Sequence, residues 1–519
     1  MSLHNRLQNR FGQFQSGWTG LLAAFVLGVA LTLAFAPFKL APLAILSPAM
    51  LFVLIYRLSP KRSSLFAFMY GLGLFGSGVS WVFVSIHNFG NMAAPLAAFA
   101  VLIFVSILSG YLAILGWLQA RLQSRVSEVV LLIVVMPALW VLLEWLRSWL
   151  FTGFPWLNLG YSQVSWPLAG LAPWLGVYGI SLAVALSAGM LAYMFIKPAS
   201  WNRLLAILLA LWLTSWGLGQ ISFTEPNGEA IELAIIQNNI PLREKWGLNR
   251  DSIIQRYIDL TNDNNDAQLI VWPEAAIPVY WHRQQSRLYR ELDSVLSQGV
   301  TVVTGAPEYV RSETGTRSYN SAFILNKAGL NQEQNDTDRI YRKRHLVPFG
   351  EYIPIKPIFG WLLNVLHIPM SDFSSGSNGE KRYKVNGHYA AMSICYEDSF
   401  GEELIEQLPE AGLIINLSED AWFGNSLAPH QRVQIARMRV LETGRPLVRA
   451  ANTGPSLVID SVGNIKASTP QFQSAVLRAT VQPAQGVTPY VRIGNAGVLL
   501  ILFLMLGGVL VVLRKSTAQ

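Results

Sequence analysis

Long stretches without a charged side chain constrain this chain of 519 residues more than any other feature. Four of them run from Ser63 to Ala120, from Ser148 to Ile196, from Leu204 to Thr224 and from Ile493 to Leu513. A helix that crosses a bilayer needs about 20 apolar residues, so each stretch can hold at least one span. Only 13% of all residues are charged, well below the share in soluble domains. The sequence therefore predicts a membrane protein.

Eight membrane-spanning helices are predicted, seven before Glu225 and one near the end of the chain. They cover roughly residues 18–37, 40–56, 64–86, 94–119, 127–149, 167–196, 203–221 and 493–513. The first has no small-residue cleavage site, and we interpret it as an uncleaved helix rather than a signal peptide. The predicted domains are a membrane domain of residues 1–224, a soluble domain of residues 225–491, and a final helix with its tail, residues 492–519.

Basic residues concentrate in alternate loops between these spans, which predicts the orientation because Lys and Arg favour cytoplasmic loops. They are Arg6, Arg10, Arg57, Lys61, Arg62, Arg121, Arg125, Lys197, Arg203, Arg514 and Lys515. We therefore expect both termini in the cytoplasm and the soluble domain on the opposite face, the periplasm of a Gram-negative cell with this chain in its inner membrane. The formal charge of +8 comes largely from these loops, and it does not indicate a nucleic-acid partner.

From about residue 226 to 490 the apolar runs become short and alternate with helical segments. The predicted strands are Ile231–Gln237, Gln268–Trp272, Val300–Gly305, Ser321–Leu325, Tyr389–Cys395, Gly412–Leu417, Leu447–Ala451 and Ser456–Asp460. The predicted helices are Arg250–Asn262, Gln285–Ser297, Gly401–Gln407 and His430–Thr443. Several strands are continuous apolar runs, which is typical of strands buried on both faces. This alternation predicts one α/β layered domain.

The only cysteine, Cys395, lies at the end of one predicted strand. A lone cysteine cannot form an intrachain disulfide, so it is either a small apolar residue of the core or a reactive group. Glu274 follows the strand that ends at Trp272, and Lys343 lies in a basic run before a Pro-Phe-Gly turn. Alone, Glu274 is typical of a loop carboxylate and Lys343 of a solvated face. Together the three supply a base, an electrophile and a nucleophile for acyl chemistry.

At these residues the chain closely resembles the apolipoprotein N-acyltransferases, membrane enzymes whose soluble domain belongs to the nitrilase (carbon–nitrogen hydrolase) superfamily. The Glu, Lys and Cys of the nitrilase pattern occur in Trp272-Pro273-Glu274, Tyr341-Arg342-Lys343 and Ile394-Cys395-Tyr396-Glu397. Further segments that look like family motifs are Gly73–Val82, Thr152–Leu157, His345–Glu351 and Asp420–Gly424. The resemblance extends over nearly the whole chain. It implies a nitrilase-like αββα sandwich joined to a polytopic α-helical membrane domain of eight transmembrane helices.

The resemblance also implies a reaction and its partners. An acyl group from a membrane phospholipid, typically phosphatidylethanolamine, would move to Cys395 as a thioester. It would then pass to the α-amino group of the S-diacylglyceryl cysteine at the start of an apolipoprotein. Glu274 would act as general base and acid, and Lys343 would stabilise the tetrahedral intermediate. No cofactor is expected, because the acyl donor is already an activated ester, and the scattered histidines predict no metal site.

By the same resemblance, six further residues are expected to support the site or contact substrate: Trp246, Phe349, Glu351, Tyr396, Glu397 and Trp422. Glu351 and Glu397 would orient Lys343 or the incoming amine, and Trp422 would lie on a mobile loop that gates lipid entry. The chain departs from the family at Glu419, where the family usually has Asn. This adds a charge close to the expected site and puts the transfer of details for that loop in doubt.

Three other functions compete with the acyltransferase. A membrane-anchored amidase or nitrilase would use the same three residues on a small amide, but it would need one anchor helix rather than seven. A transporter with a periplasmic binding domain would be favoured by broken helices and buried charges in the spans. A non-catalytic scaffold would not require Cys395. Glu144 and Arg147, near one end of the fifth predicted span, are either an i, i+3 ion pair or functional intramembrane charges.

Overall fold

The structure is a computed structural model that describes residues 15, 17–247, 249–312, 315–330, 338–354, 372–377 and 383–517. The predicted cytoplasmic residues Arg6 and Arg10 lie outside these ranges. The chain forms two compact units. The first comprises Met1–Phe83, Ala94–Ile221 and Ile493–Gln519, and the second comprises Val84–Ala93 and Ser222–Arg492.

The first unit is helical. Its main helices are Trp18–Thr32, Leu43–Ile55, Pro60–Gly78, Ala94–Leu122, Met136–Arg147, Ala172–Ile196, Trp201–Leu218 and Ala496–Thr517, and the π-helix Val130–Val135 precedes Met136 directly. Apolar side chains also cover much of its surface: Leu213 is 66% exposed and Phe503 is 62% exposed. Such a surface is costly in water and favourable in lipid.

Four helices of the described chain are long and apolar enough to cross a membrane: Ala94–Leu122, Val130–Arg147, Pro167–Ile196 and Pro198–Leu218. A fifth candidate is the pair Pro60–Gly78 and Trp81–Phe89, which is bent by 52° at a short break. Three shorter apolar helices lie at the remaining predicted spans. The described chain therefore has at least four candidate membrane helices. Their lengths and composition do not establish all eight predicted spans.

The two buried charges of the fifth predicted span, Glu144 and Arg147, bind different partners. Glu144 Oε1 accepts hydrogen bonds from Trp140 Nε1 (3.0 Å) and the Leu159 N–H (2.8 Å). Arg147 donates to the carbonyl of Trp156 (2.5 Å) and to Asn158 Oδ1 (2.6 Å). Among the ion pairs of the described residues none joins the two side chains, so the expected ion pair is wrong. Both instead bind the segment 154–159, whose polar groups would otherwise be buried without partners.

The second unit contains fourteen described strands in three sheets. They are β1 Thr224–Pro226, β2 Ile231–Gln237, β3 Leu269–Val271, β4 Thr301–Ser312, β5 Gly315–Leu325, β6 Ile340–Arg342, β7 Tyr383–Val385, β8 His388–Ile394, β9 Leu413–Ser418, β10 Leu447–Ala451, β11 Leu457–Ile459, β12 Ile465–Ser468, β13 Ala475–Val481 and β14 Ala484–Gly486. The two large sheets have the orders β13-β2-β3-β4-β5-β6 and β12-β11-β10-β9-β8-β7. The short strands β1 and β14 pair antiparallel and join the two ends of the unit.

The helices of this unit are Leu242–Lys245, Arg250–Asn262, Gln285–Glu291, Asp293–Ser297, Lys327–Leu330, Gly401–Ile405, Ala428–Thr443 and Pro489–Ile493. Side chains of both large sheets share one core, for example Ile235 of β2 and Met392 of β8. On the outer face of the first sheet, Ile236 packs with Tyr257 of a helix. On the outer face of the second, Ile414 packs with Ala436 of another. The layers are thus helix, sheet, sheet, helix, the predicted αββα sandwich.

Burial on both faces explains the apolar runs 233–236 of β2 and 413–415 of β9, which allowed both strands to be predicted from the sequence. The predicted strands Ile231–Gln237 and Leu447–Ala451 and the predicted helix Arg250–Asn262 have the observed bounds. The predicted helix Gln285–Ser297 is two shorter helices separated at Leu292. The short or exposed strands β6, β7, β12 and β13 were not predicted, because they lack a long apolar run.

Candidate active site

Glu274 follows β3, whose parallel neighbours β2 and β4 fix the direction of the chain at this point. Its carboxylate is buried and accepts a hydrogen bond from Asn320 Nδ2 at 2.8 Å. The loop that contains Glu274 is held against β4 by a hydrogen bond from the Gly305 N–H to the Pro273 carbonyl (3.2 Å). A Cβ atom at Gly305 would lie 2.8 Å from the Glu274 Cα, so glycine is required for this close approach.

Lys343 follows β6 and is almost fully buried. Its Nζ donates to Glu351 Oε1 at 2.9 Å and lies 3.5 Å from Glu274 Oε1. Burial acts to lower the pKa of Lys343, but the carboxylates of Glu351 and Glu274 outweigh burial and hold that pKa above its usual value. Lys343 is therefore a fixed ammonium ion, suited to stabilising negative charge rather than to accepting a proton.

Cys395 follows β8 and begins a short 3-10 helix, Cys395–Ser399. Its φ of 55° lies in the left-handed region, which is unfavourable for a residue with a Cβ and often marks functional sites. Burial, with a smaller contribution from the charge of Glu274, raises the pKa of the Cys395 thiol to about 12, although Arg432 and Lys343 act in the opposite direction. At neutral pH the thiol keeps its proton, so a nucleophilic sulfur requires a base beside it.

Glu397 links the Cys395 turn to the Lys343 loop. Its carboxylate accepts from the N–H groups of Ile394 (2.6 Å), Arg344 (2.7 Å) and His345 (3.0 Å), and from the Tyr341 hydroxyl (2.8 Å). Burial raises the pKa of Glu397 to about 7, against the opposing effects of the Lys343 charge and these N–H groups. Glu397 thus binds the main chain directly after Lys343, and its role in orienting Lys343 stays a prediction.

Two buried clusters of charged and polar side chains flank Cys395. We call the first the carboxylate–lysine cluster; it consists of Glu274, Asn320, Lys343 and Glu351. Asn320 Nδ2 donates to both carboxylates at 2.8 Å, and Lys343 lies between the same two groups. Glu274 Oε2 is buried and has no hydrogen-bond partner among the described residues. A carboxylate oxygen of this kind is free to accept a proton.

We call the second the arginine–aspartate cluster; it consists of Asp398, Asp420, Arg432 and Arg449, whose side chains are all fully buried. Each arginine pairs with both aspartates at 2.9–3.3 Å. Burial alone would raise the pKa of Asp420, but the charges of Arg449 and Arg432 outweigh it and hold that pKa below its usual value. Arg432 Nη1 also lies 3.4 Å from Cys395 Sγ.

Three of the residues expected to support the site, Tyr396, Phe349 and Trp422, have different surroundings. The Tyr396 ring lies 5.7 Å from Lys343 Nζ, and its hydroxyl donates to the Leu346 carbonyl at 2.8 Å. Phe349 is 39% exposed, and its φ of 60° lies in the left-handed region. Trp422 contacts a different segment: its carbonyl accepts from Ser85 Oγ at 2.8 Å, and its ring centroid lies 6.0 Å from that of Phe89. The mobility of the loop around Trp422 stays a prediction.

Trp246 directly follows the helix Leu242–Lys245, and its carbonyl accepts from Arg250 Nη2 at 2.9 Å. The preceding residue, Lys245, is the one that reaches the site: its Nζ donates to the Glu274 carbonyl at 2.9 Å and pairs with Glu419. Glu419, the departure from the family pattern, is buried with Lys245 and also accepts from Asn452 Nδ2 at 3.0 Å. The added charge is thus neutralised inside the fold.

Sequence reasoning missed Asn320, Arg432 and Lys245. Asn320 lies in the buried half of β5, but Ser318 and Ser321 lie close to it in the sequence, so its context offered little signal. Arg432 lies on the buried face of the helix Ala428–Thr443 and also indicates a buried charge network. Lys245 was hidden in the polar segment Arg243-Glu244-Lys245, which is indistinguishable from a solvated turn.

Residues 27–190 match the family described as apolipoprotein N-acyltransferase N-terminal domain, and residues 232–488 match the family described as carbon-nitrogen hydrolase. The chain is 43% identical to an apolipoprotein N-acyltransferase of Nitrosomonas europaea over 496 residues, 95% of this chain and 97% of that protein. The chain belongs to the apolipoprotein N-acyltransferase family. A second member, from Methylococcus capsulatus, is 39% identical over 479 residues, 92% of each chain.

Among solved structures, the carbon-nitrogen hydrolase from Helicobacter pylori G27 has a TM-score of 0.35 and 15% identity, covering 49% of this chain and 89% of that one. Membership of the apolipoprotein N-acyltransferase family confirms the prediction of an acyltransferase with a nitrilase-like domain. The amidase and transporter alternatives are not favoured, because the relatives match across both the helical unit and the soluble unit.

Proposed function

We propose that this protein transfers a fatty acyl group from a membrane phospholipid to the N-terminal amine of S-diacylglyceryl-cysteine apolipoproteins, through a thioester on Cys395. Phosphatidylethanolamine is the expected donor. The observation that carries the proposal is the placement of Lys343 Nζ between the carboxylates of Glu274 and Glu351, together with the electrostatic interaction of these groups with the buried thiol of Cys395 after β8. Acyl transfer requires a nucleophile, a base to take its proton and a cation to stabilise the oxyanion, and the buried thiol, carboxylate and ammonium supply these three groups.

In the first step, Cys395 Sγ attacks the ester carbonyl of the phospholipid while Glu274 takes the thiol proton. The carbonyl oxygen becomes an oxyanion, which the Lys343 ammonium stabilises. The intermediate then expels the lysophospholipid alkoxide, which takes the proton from Glu274. The products are the Cys395 thioester and a neutral lysophospholipid hydroxyl, and Glu274 is again ionised.

In the second step, the α-amino group of the apolipoprotein attacks the thioester carbonyl and gives a proton to Glu274. Lys343 stabilises the second oxyanion. The intermediate expels the Cys395 thiolate, which takes the proton back from Glu274, and the amide product leaves. Because one protein group serves both steps in turn, the two substrates should react by ping-pong kinetics. No cofactor, metal or nucleic acid has a part in this scheme.

Both substrates carry acyl chains, and moving these through water costs about 0.8 kcal/mol per CH₂ group. A helical unit with an apolar surface keeps the enzyme in the same bilayer as its substrates. We propose eight transmembrane helices, cytoplasmic termini and a periplasmic catalytic unit in the inner membrane of a Gram-negative cell. The support is the alternation of basic loops, together with bacterial relatives that match both units.

Intact mass spectrometry of the detergent-purified protein, incubated with phosphatidylethanolamine, tests the proposal. The wild type should gain one fatty-acyl mass, and Cys395→Ser should gain no hydroxylamine-labile mass. Addition of a peptide bearing an S-diacylglyceryl cysteine with a free amine should remove the increment and yield the N-acylated peptide. Identical spectra for both forms, with no adduct, would contradict the thioester mechanism.

A further inference from the structure

Cys395 has a cationic neighbour besides Lys343. Arg432 Nη1 approaches Cys395 Sγ at 3.4 Å, and Arg432 Nη2 donates to the Cys395 carbonyl at 2.6 Å. One guanidinium therefore binds both the side chain and the main chain of the nucleophile. A second donor to the same carbonyl is Asn416 Nδ2 at 3.0 Å.

Arg432 is held rigidly in this position. Its nitrogens also bind Asp398 Oδ1 (3.3 Å), Asp420 Oδ1 (3.1 Å) and Ser418 Oγ (2.7 Å), and its side chain is fully buried. Because water is excluded and each partner is itself paired, the Nη1 group needs little reorganisation when charge develops on the sulfur. A charge-assisted hydrogen bond from a fixed guanidinium is an effective stabiliser of a thiolate.

We propose that Arg432 is a further catalytic residue, which stabilises the Cys395 thiolate in both half-reactions. This assignment rests on the proposed function only in taking Cys395 as the nucleophile. As Glu274 removes the thiol proton in the first step, the charge that forms on Sγ is stabilised by Arg432. When the second intermediate breaks down, the same contact stabilises the departing thiolate until Glu274 returns the proton. Lys343 and Arg432 thus stabilise charge on different atoms, the carbonyl oxygen and the sulfur.

The competing role is a purely structural one, in which Arg432 only neutralises two buried aspartates. The chain contains a matched control for this role. Arg449 pairs with the same Asp398 and Asp420, at 3.2 Å and 2.9 Å, and is equally buried. Its other hydrogen bonds go to Asn416 Oδ1 and Ser418 Oγ, not to the sulfur. Equivalent substitutions at the two arginines therefore impose a similar burden on the fold but differ at the thiol.

The test compares Arg432→Gln, Arg449→Gln and the wild type by the rate at which iodoacetamide alkylates Cys395 between pH 8 and 9.5. The full-length protein in detergent is used, and because Cys395 is the only cysteine, intact mass reports this site alone. Loss of an opposite charge near a group shifts its pKa by about one unit or more, so Arg432→Gln should be alkylated about tenfold more slowly at a given pH. Arg449→Gln should stay within about twofold of the wild type.

A loosened site would expose the thiol and accelerate alkylation, so it would change the rate in the opposite direction. Equal rates for the two glutamine variants would overturn the assignment and leave Arg432 a structural residue. If Arg432→Gln does not fold, Arg432→Lys and Arg449→Lys are compared in the same way. A slower reaction in Arg432→Lys alone supports the assignment, and equal rates overturn it. Alkylation requires no phospholipid, so this result is independent of whether the proposed acyl transfer occurs.

Discussion

The two clusters that flank Cys395 are both buried and both charged, yet they are built differently. In the arginine–aspartate cluster two guanidinium groups face two carboxylates, and every carboxylate is paired twice. In the carboxylate–lysine cluster one ammonium serves two carboxylates, and Glu274 Oε2 is without a partner among the described residues. In the arginine–aspartate cluster the charges balance and only the two arginine Nε atoms have no partner among the described residues, whereas the carboxylate–lysine cluster has more carboxylates than cations and an acceptor oxygen without a partner.

This difference separates a rigid support from a site of proton transfer. A buried network in which each carboxylate is paired with two guanidinium groups is costly to break and does not exchange protons readily. A buried carboxylate oxygen without a hydrogen-bond donor offers an acceptor site for a proton, which a general base requires. The Cys395 thiol interacts electrostatically with members of both clusters, so we expect one to supply its base and the other a fixed cation.

The largest effect that follows from this comparison is expected at Glu274. Glu274→Gln keeps the shape of the side chain and the Asn320 contact but removes the proton acceptor. General-base catalysis typically contributes about 10²–10⁴-fold, so the single-turnover rate of thioester formation should fall by about 10³-fold. Glu232→Gln, an exposed glutamate of β2, serves as the matched control and should keep the wild-type rate. Thioester formation by Glu274→Gln within about threefold of the wild type would contradict the assigned base.

The next effect concerns Lys343, the only cation of the carboxylate–lysine cluster. Lys343→Met retains the length of the side chain but removes the group assigned to the oxyanion. Loss of one oxyanion donor typically costs about 10²–10³-fold, so thioester formation should slow by about 10²-fold. The exposed Lys384 of β7 provides the control Lys384→Met. An unchanged single-turnover rate in Lys343→Met would show that the oxyanion is stabilised elsewhere.

Glu274, Lys343 and Cys395 could be proposed as reactive residues from the sequence, because each follows a strand or lies in a basic run with a recognisable local pattern. Cys395 closes the apolar run of β8, and Glu274 follows the apolar run of β3. Their partners could not be predicted in the same way. Asn320, Arg432 and Lys245 contact the site from elements far apart in the chain, so their roles depend on the pairing of strands and on which helix face is buried.

For Glu397, the residue was predicted from the sequence but its contacts were not. Glu397 lies two residues after Cys395 in the sequence, and the expectation was that it would orient Lys343 or the incoming amine. In the structure it binds the main-chain N–H groups of Arg344 and His345, just after Lys343. Such a contact leaves no trace in the sequence, because any residue except proline supplies an N–H group.

A smaller effect is expected where β4 supports the carboxylate–lysine cluster. Gly305→Ala would place a Cβ 2.6 Å from the Ala275 nitrogen, so the Glu274 loop would have to move. Overpacking of this kind typically costs about 1–3 kcal/mol, and we expect a lower Tm together with about tenfold slower thioester formation. Gly299→Ala controls for stability, because the φ of 94° at Gly299 makes alanine unfavourable there, whereas no heavy atom lies within 4 Å of the added Cβ. Equal activity in both variants would contradict the close approach at Glu274.

The smallest effect is the pH dependence that Glu397 gives to stability. Because burial raises the pKa of Glu397 to about 7, above the ordinary 4.5, the folded protein binds this proton more tightly than the unfolded chain does. The contribution of Glu397 to the free energy of unfolding is therefore fully present below pH 4.5. It is lost as the pH rises through about 7, by up to about 3 kcal/mol. Glu397→Gln cannot ionise, so it lacks this loss. The wild type should exceed Glu397→Gln in Tm by more at pH 5 than at pH 7.5, as measured by thermal unfolding in detergent. A gap that widens with pH would mean that the four donors outweigh burial and hold the carboxylate ionised.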